Sequence, residues 1–135
     1  LLADTENDSM STDWAEAAKE SDFTSQAITR ERRIMVSLTG TADLTVKNRL
    51  DRFLREVHTE AQRCSVEEVT VDVRRLEFVN SSCLKCFVWW IGTVQEQPGE
   101  GRYRIVFVSS PQVDWQRRSL NALACLAGEI MSIQA

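Results

Sequence analysis

With 135 residues and 43% hydrophobic content, the chain is long enough for one domain with a real core and too short for two. A net charge of -4 and a pI near 5.1 give no long-range attraction to nucleic-acid backbones or anionic membrane surfaces, which excludes those partners as a first expectation. No apolar run approaches the ~20 residues that span a bilayer. The start Leu1-Leu2-Ala3-Asp4 lacks the basic and apolar regions of a signal peptide, so a cytoplasmic protein with no membrane insertion is expected.

Residues 1–21 set Asp4, Glu6, Asp8, Asp13, Glu16 and Glu20 against Lys19 alone and carry almost no core material, the pattern of an acidic, mobile N-terminal tail. Trp14 is its one large apolar group and a candidate for docking on the body of the protein or on a neighbour. The domain proper is expected over 22–135. Phe23–Thr29 and Arg33–Thr39 read as a hairpin, the second strand alternating at Ile34, Val36 and Leu38. Gly40-Thr41-Ala42-Asp43 is expected to break the strand, with Asp43 or Thr45 capping the helix that follows.

That helix places Val46, Leu50, Phe53, Leu54, Val57, Ala61 and Cys64 on one stripe, with alternating charges on the outside. A strand at Val69–Val73 follows. Leu76, Phe78 and Val79 then run into Asn80-Ser81-Ser82-Cys83, where a helix opens and continues to about Gln95. Its spacing predicts a buried face of Leu84, Phe87, Val88, Ile91 and Val94, which turns Trp89, Cys86 and Trp90 away from the sheet. Gln97-Pro98-Gly99-Glu100-Gly101 ends it. Tyr103–Ser109 is a strand buried on both faces. Ser110-Pro111 is expected to open a last helix, with Val113, Leu120, Leu123, Ala124 and Ala127 inward, before a strand at Ile130, Met131 and Ile133. The order β-β-α-β-α-β-α-β makes this an α/β domain, a mixed sheet with parallel crossovers and helices packed against it.

Three stretches carry a family resemblance: Leu38-Thr39-Gly40-Thr41-Ala42-Asp43, Val71-Asp72-Val73, and Leu76-Glu77-Phe78-Val79-Asn80-Ser81-Ser82. Together with the element order over most of residues 23–134, they resemble the STAS domain, in particular the bacterial anti-sigma-factor antagonists. The family reads Asp-Ser-Ser-Gly where this chain has Asn80-Ser81-Ser82-Cys83. The resemblance implies a non-enzymatic regulatory module in transcription signalling that binds a partner protein, an anti-sigma factor that is also a serine kinase. Ser81 matches the serine that such a kinase phosphorylates. Asn80, Ser81, Ser82, Cys83, Lys85 and Trp89 form the implied docking surface, to which Cys83 adds a side chain in place of glycine. A phosphate adds about -1.5 to -2 charges, enough to break such a fit without any change of shape.

Other readings stay open beside this one. The module could be a STAS subunit of a larger signalling or transport assembly that never uses phosphate, and a homodimer would cover exposed tryptophans. Cys83-Leu84-Lys85-Cys86 is a C-x-x-C at a helix start, where the dipole and Lys85 would lower a thiol pKa and make a thiol oxidoreductase. Against that, no proline stands within the pair and no downstream proline is placed to flank a dithiol, and the four cysteines read as reduced thiols. No metal-ligand cluster, cofactor loop or catalytic carboxylate pair is present in the sequence, so neither cofactor nor metal is expected. His58 has no nucleophile near it in sequence, and Ser81 and Ser82 would in any case serve to cap the helix.

Overall fold

The computed structural model describes residues 22–135. The expected tail, with Trp14, lies outside the described residues. Alternating apolar residues build the hairpin of β1 (Phe23–Arg30) and β2 (Arg33–Ala42), which pair antiparallel from Phe23 with Gly40 to Arg30 with Arg33. Ala27, Ile34, Val36 and Leu38 point to the core, and Glu31 takes a positive φ of 58° in the turn between the strands.

The expected break at Gly40 is a kink instead of an end. Gly40 has φ +94°, and a side chain there would collide with the backbone carbonyl of Asp22, so the strand bends through a position only glycine can occupy. It continues to Ala42 with its register shifted, and changes neighbour as it does so. Before the kink, Arg33–Ser37 pairs in parallel with β3 (Glu68–Asp72); after it, Gly40–Ala42 pairs in parallel with β4 (Leu76–Val79). Strand β4 is an element the expected order did not contain. It is four residues long with Leu76 alone fully buried, too short and too one-sided to show a period of its own.

Asp43 accepts a hydrogen bond from the Thr45 amide and starts a single 3-10 turn, Leu44–Val46, that leads into α1 (Lys47–Arg63). The stripe Leu50, Phe53, Leu54, Val57 and Ala61 is buried as its spacing predicts. The chain continues with α2 (Ser81–Gln95), a 3-10 turn at Gly99–Gly101, β5 (Arg104–Val108), α3 (Asp114–Ala127) and β6 (Met131–Gln134). Helix α3 begins at Asp114, later than Ser110-Pro111 suggests. The Ser110 amide donates to Oε1 of Gln116, so this segment is held as a turn across the helix start. Gln116 is fully buried, and its Nε2 donates to the carbonyls of Val73 and Leu76, while Trp115 Nε1 donates to Leu76 as well. Two residues of α3 thus fasten the connection between β3 and β4.

The sheet runs β1-β2-β3-β5-β6, parallel at every pair except the first. Each step from β2 to β6 goes the same way across the sheet through a helix. Right-handed crossovers taken in one direction put all three helices on the same face. Ala27, Val36, Val71 and Phe107 lie in register on that face, and Phe107 meets Phe87 of α2 edge-on with centroids 5.8 Å apart.

Candidate functional site

Asn80 caps α2. Its Oδ1 accepts a hydrogen bond of 2.8 Å from the Cys83 amide, its carbonyl accepts from Leu84, and its amide donates to the Ala42 carbonyl at the end of β2. The cap fixes the corner on both sides, to the helix ahead and to the kinked strand beside it. An amide oxygen caps as well as a carboxylate does, so asparagine keeps the geometry while removing the charge. The serines are therefore free of capping duty. Ser81 is exposed at the first helical position and Ser82 half-buried at the second, and neither amide has an acceptor among the described residues.

The inward face of α2 is Cys83, Cys86, Phe87, Trp90, Ile91 and Val94, a different phase from the expected one. Trp90 is fully buried, its Nε1 donating to the Tyr103 hydroxyl at 2.8 Å, whereas Val88 stands out at 44% exposure. Taking cysteine as a core residue, which it usually is, recovers this phase from the sequence. Ser81, Lys85 and Val88, at i, i+4 and i+7, then form the outward stripe. Trp89, expected on the docking surface, is half-buried beneath Arg55 of α1, whose guanidinium lies 3.9 Å from the ring centroid.

Cys83 does not reach the surface. It is fully buried with Sγ 3.3 Å from the Asp43 carbonyl, so it offers a partner no side chain, because the first turn of α2 packs directly on the Asp43 loop. Desolvation, then the neighbouring Cys86 and Asp43, pushes the Cys83 thiol up to about 11. Cys86 is raised as well, chiefly by burial and then by Asp51. Thiol exchange needs the thiolate. These two thiols are held in the opposite state, as weak donors to the carbonyls of Asp43, Lys47 and Ser82, and the C-x-x-C is packing.

Sequence reasoning missed two apolar groups beside Ser81. Leu44, on the turn after Asp43, is 66% exposed, and Phe78, on β4 two residues before the cap, is 47% exposed. Phe78 pairs with Thr41 and Val79 with Ala42, which brings β4 alongside the segment that ends in Leu44. The signal available was local: a four-residue edge strand has one face to bury, and it buries Leu76. Where β3 and β4 part along β2, a cleft of about 410 Å³ opens between Ser37, Thr39 and Asp72, Arg74, Arg75. The Arg74 guanidinium closes on Asp72 at 2.8 Å and holds that carboxyl below its ordinary value.

No family model and no curated protein matches the sequence. Solved structures do match the fold. An anti-sigma factor antagonist from Mycobacterium paratuberculosis superposes with a TM-score of 0.62 at 18% identity, over 87% of this chain and 88% of that one. The chain has the fold of the anti-sigma factor antagonists. The antagonist SpoIIAA in its unphosphorylated form gives a TM-score of 0.56 at 17% identity, over 84% and 88% of the two chains. The Bacillus cell fate determinant SpoIIAA in its phosphorylated form gives 0.51 at 13%, over 84% and 91%. The α/β, mixed-sheet, STAS-type architecture read from the sequence is the one observed, with β4 added. Among the described residues no helix is long and apolar enough to cross a membrane, and no cluster of three or more metal-ligating side chains occurs.

Proposed function

We propose that this chain is a non-enzymatic regulatory module acting inside the cell as an anti-sigma-factor antagonist. In this reading it binds an anti-sigma factor that is also a serine kinase, and phosphorylation of Ser81 ends the binding. The observation that carries the reading is an exposed Ser81 at the first position of a capped helix, on a fold shared with antagonists solved in unphosphorylated and phosphorylated forms. The docking surface is Ser81, Lys85 and Val88 on α2 together with Leu44 and Phe78, with Ser82 at its edge. Three exposed apolar side chains on the segments that lead into and out of this corner suit a protein interface better than a small-molecule site.

The switch needs no movement of the domain. A phosphate on Ser81 would lie near the unpaired amides of Ser81 and Ser82 and the positive end of α2, which favour it. Asn80 in place of a carboxylate spares it a repulsion. The cost falls on the partner, whose apolar contacts with Leu44, Phe78 and Val88 would have to close over a doubly charged, hydrated group.

Two measurements test the proposal. Incubation with ATP and an extract of the cells that make the protein should add one phosphate to the wild-type chain and none to Ser81→Ala, by intact mass. Calorimetric titration against the anti-sigma factors of that cell should find one that binds the wild type, with Ser81→Asp weakening it tenfold or more. If none binds, the antagonist reading fails. A non-phosphorylated subunit of a larger assembly is the second reading, favoured by the missing carboxylate at Asn80, and it predicts no Ser81-dependent mass gain.

A further inference from the structure

The sheet has a second face, turned away from α1, α2 and α3, on which Val106 at the centre is 2% exposed while the β1–β2 edge is open. Because α1, α2 and α3 share one side, the row Ile28, Met35, Thr70, Val106, Ser132 crosses the other side in unbroken register from β1 to β6. At the β1–β2 edge this row is apolar and open, with Ile28 49% and Met35 47% exposed as a cross-strand pair. The next row on the same face is Arg30, Arg33, Glu68, Arg104. Glu68 accepts from the Thr70 hydroxyl, while the three arginines have no side-chain partner among the described residues. Asp72, the remaining acid on this face, is taken by Arg74.

We infer that this face is the docking site of the chain's own N-terminal segment, residues 1–21, with Trp14 on the Ile28–Met35 pair and its carboxylates against Arg30, Arg33 and Arg104. Charge complementarity selects this occupant. The segment holds six acidic residues and one lysine, and its only large aromatic is Trp14. A second copy of the domain would instead bring three like-charged arginines against three more, at a cost. The tether also fits. Trp14 is nine residues before Phe23, and an extended chain of that length spans up to ~30 Å. Ile28 lies five residues along β1, roughly 17 Å from Phe23, within that reach. Linkage to the same chain gives the segment a high effective concentration at the face. The surface lies opposite the face that α2 covers, so this inference stands whether or not Ser81 is a switch.

Oxidation of Met35 by dilute peroxide, read by peptide mass spectrometry on the full chain, measures coverage of the face directly. Trp14→Ser, the tail reversal Asp13→Lys/Glu16→Lys/Glu20→Lys and the face reversal Arg30→Glu/Arg33→Glu should each raise the Met35 rate severalfold. All of these positions lie in the tail or on exposed side chains, and an unchanged circular dichroism spectrum confirms that the fold is intact. Combining the tail reversal with the face reversal should restore protection, which simple loss of a contact cannot do. Protection in the wild type should also fall with added salt. A Met35 rate indifferent to the tail variants overturns the inference. So does protection that appears only with dimer formation in sedimentation, which would make the occupant a second copy.

Discussion

Helices α1 and α2 pack against each other over the same sheet, yet one announces its buried face in the sequence and the other conceals it. α1 alternates charge outside its stripe, and pairs such as Arg55 with Asp51 and Arg63 with Glu60 mark a face that water solvates. α2 carries Lys85 as its single charged residue. It lies between the sheet, where Phe87 meets Phe107, and α1, where Cys86 approaches the Lys47 carbonyl, so apolar residues are wanted on more than one side. A helix apolar nearly all round shows little contrast between its faces, and here the phase is read only when the cysteines are counted as core. The outward stripe of α1 is built for solvent, while that of α2, a hydroxyl, a lysine and a valine, has little to hold water, as the proposed docking surface requires.

The sharpest way to break this comparison is to test the phase of α2. Trp90→Ala empties a fully buried site and removes the bond to Tyr103, and is expected to cost about 3–5 kcal/mol by urea denaturation. Val88→Ser on the outward stripe is expected to stay within about 0.5 kcal/mol of wild type. A larger loss for Val88→Ser than for Trp90→Ala would mean that the helix is turned as the sequence spacing suggests, and the proposed docking stripe would dissolve with it.

The sequence carried the fold because most elements bury one face: Ile34, Val36 and Leu38 alternate, and Leu50, Phe53, Leu54 and Val57 repeat at helical spacing. It failed where a long-range partner decided the outcome. β4 exists because the Gly40 kink frees the edge of β2 to pair again, and α3 starts late because buried Gln116 holds Ser110 in a turn. The corner itself was legible in position and misjudged in detail. Ser81 and Lys85 are exposed on the first turns of α2 and Asn80 caps it, but Cys83 turns inward and Trp89 goes under Arg55, while Leu44 and Phe78 come to the corner only through the pairing of β2 with β4.

A smaller effect tests the seam between the two helices. Trp90 Nε1 donates to the Tyr103 hydroxyl, leaving that hydroxyl's proton for Nδ1 of His58 on α1, 2.7 Å away. The imidazole is then held neutral, and burial lowers its pKa from the ordinary value near 6.5. Above that value both folded and unfolded chains carry a neutral imidazole, and His58 adds no pH dependence. As pH falls below it, the unfolded chain takes the proton first, so stability declines until the lower folded pKa is reached and then levels off. His58 is the only histidine in the sequence. The urea midpoint should therefore drop as pH falls through about 6.5 in the wild type, and this drop should vanish in His58→Gln. An unchanged slope in the variant would show that the seam is not pinned through a neutral imidazole.

The smallest expected effect separates what is covered on α2 from what is open. Arg55 stacks on Trp89 from an exposed position and also pairs with Asp51, so Arg55→Ala should cost about 0.5–1 kcal/mol, the ordinary worth of an exposed cation–π contact. Its informative readout is optical. With the guanidinium gone, Trp89 is open to water, and tryptophan emission should shift to the red, whereas Arg52→Ala one turn away on α1 should leave it unchanged. If the emission of Arg55→Ala does not move, something other than Arg55 covers Trp89, and that aromatic returns to the docking surface beside Lys85, widening it from α2 toward α1.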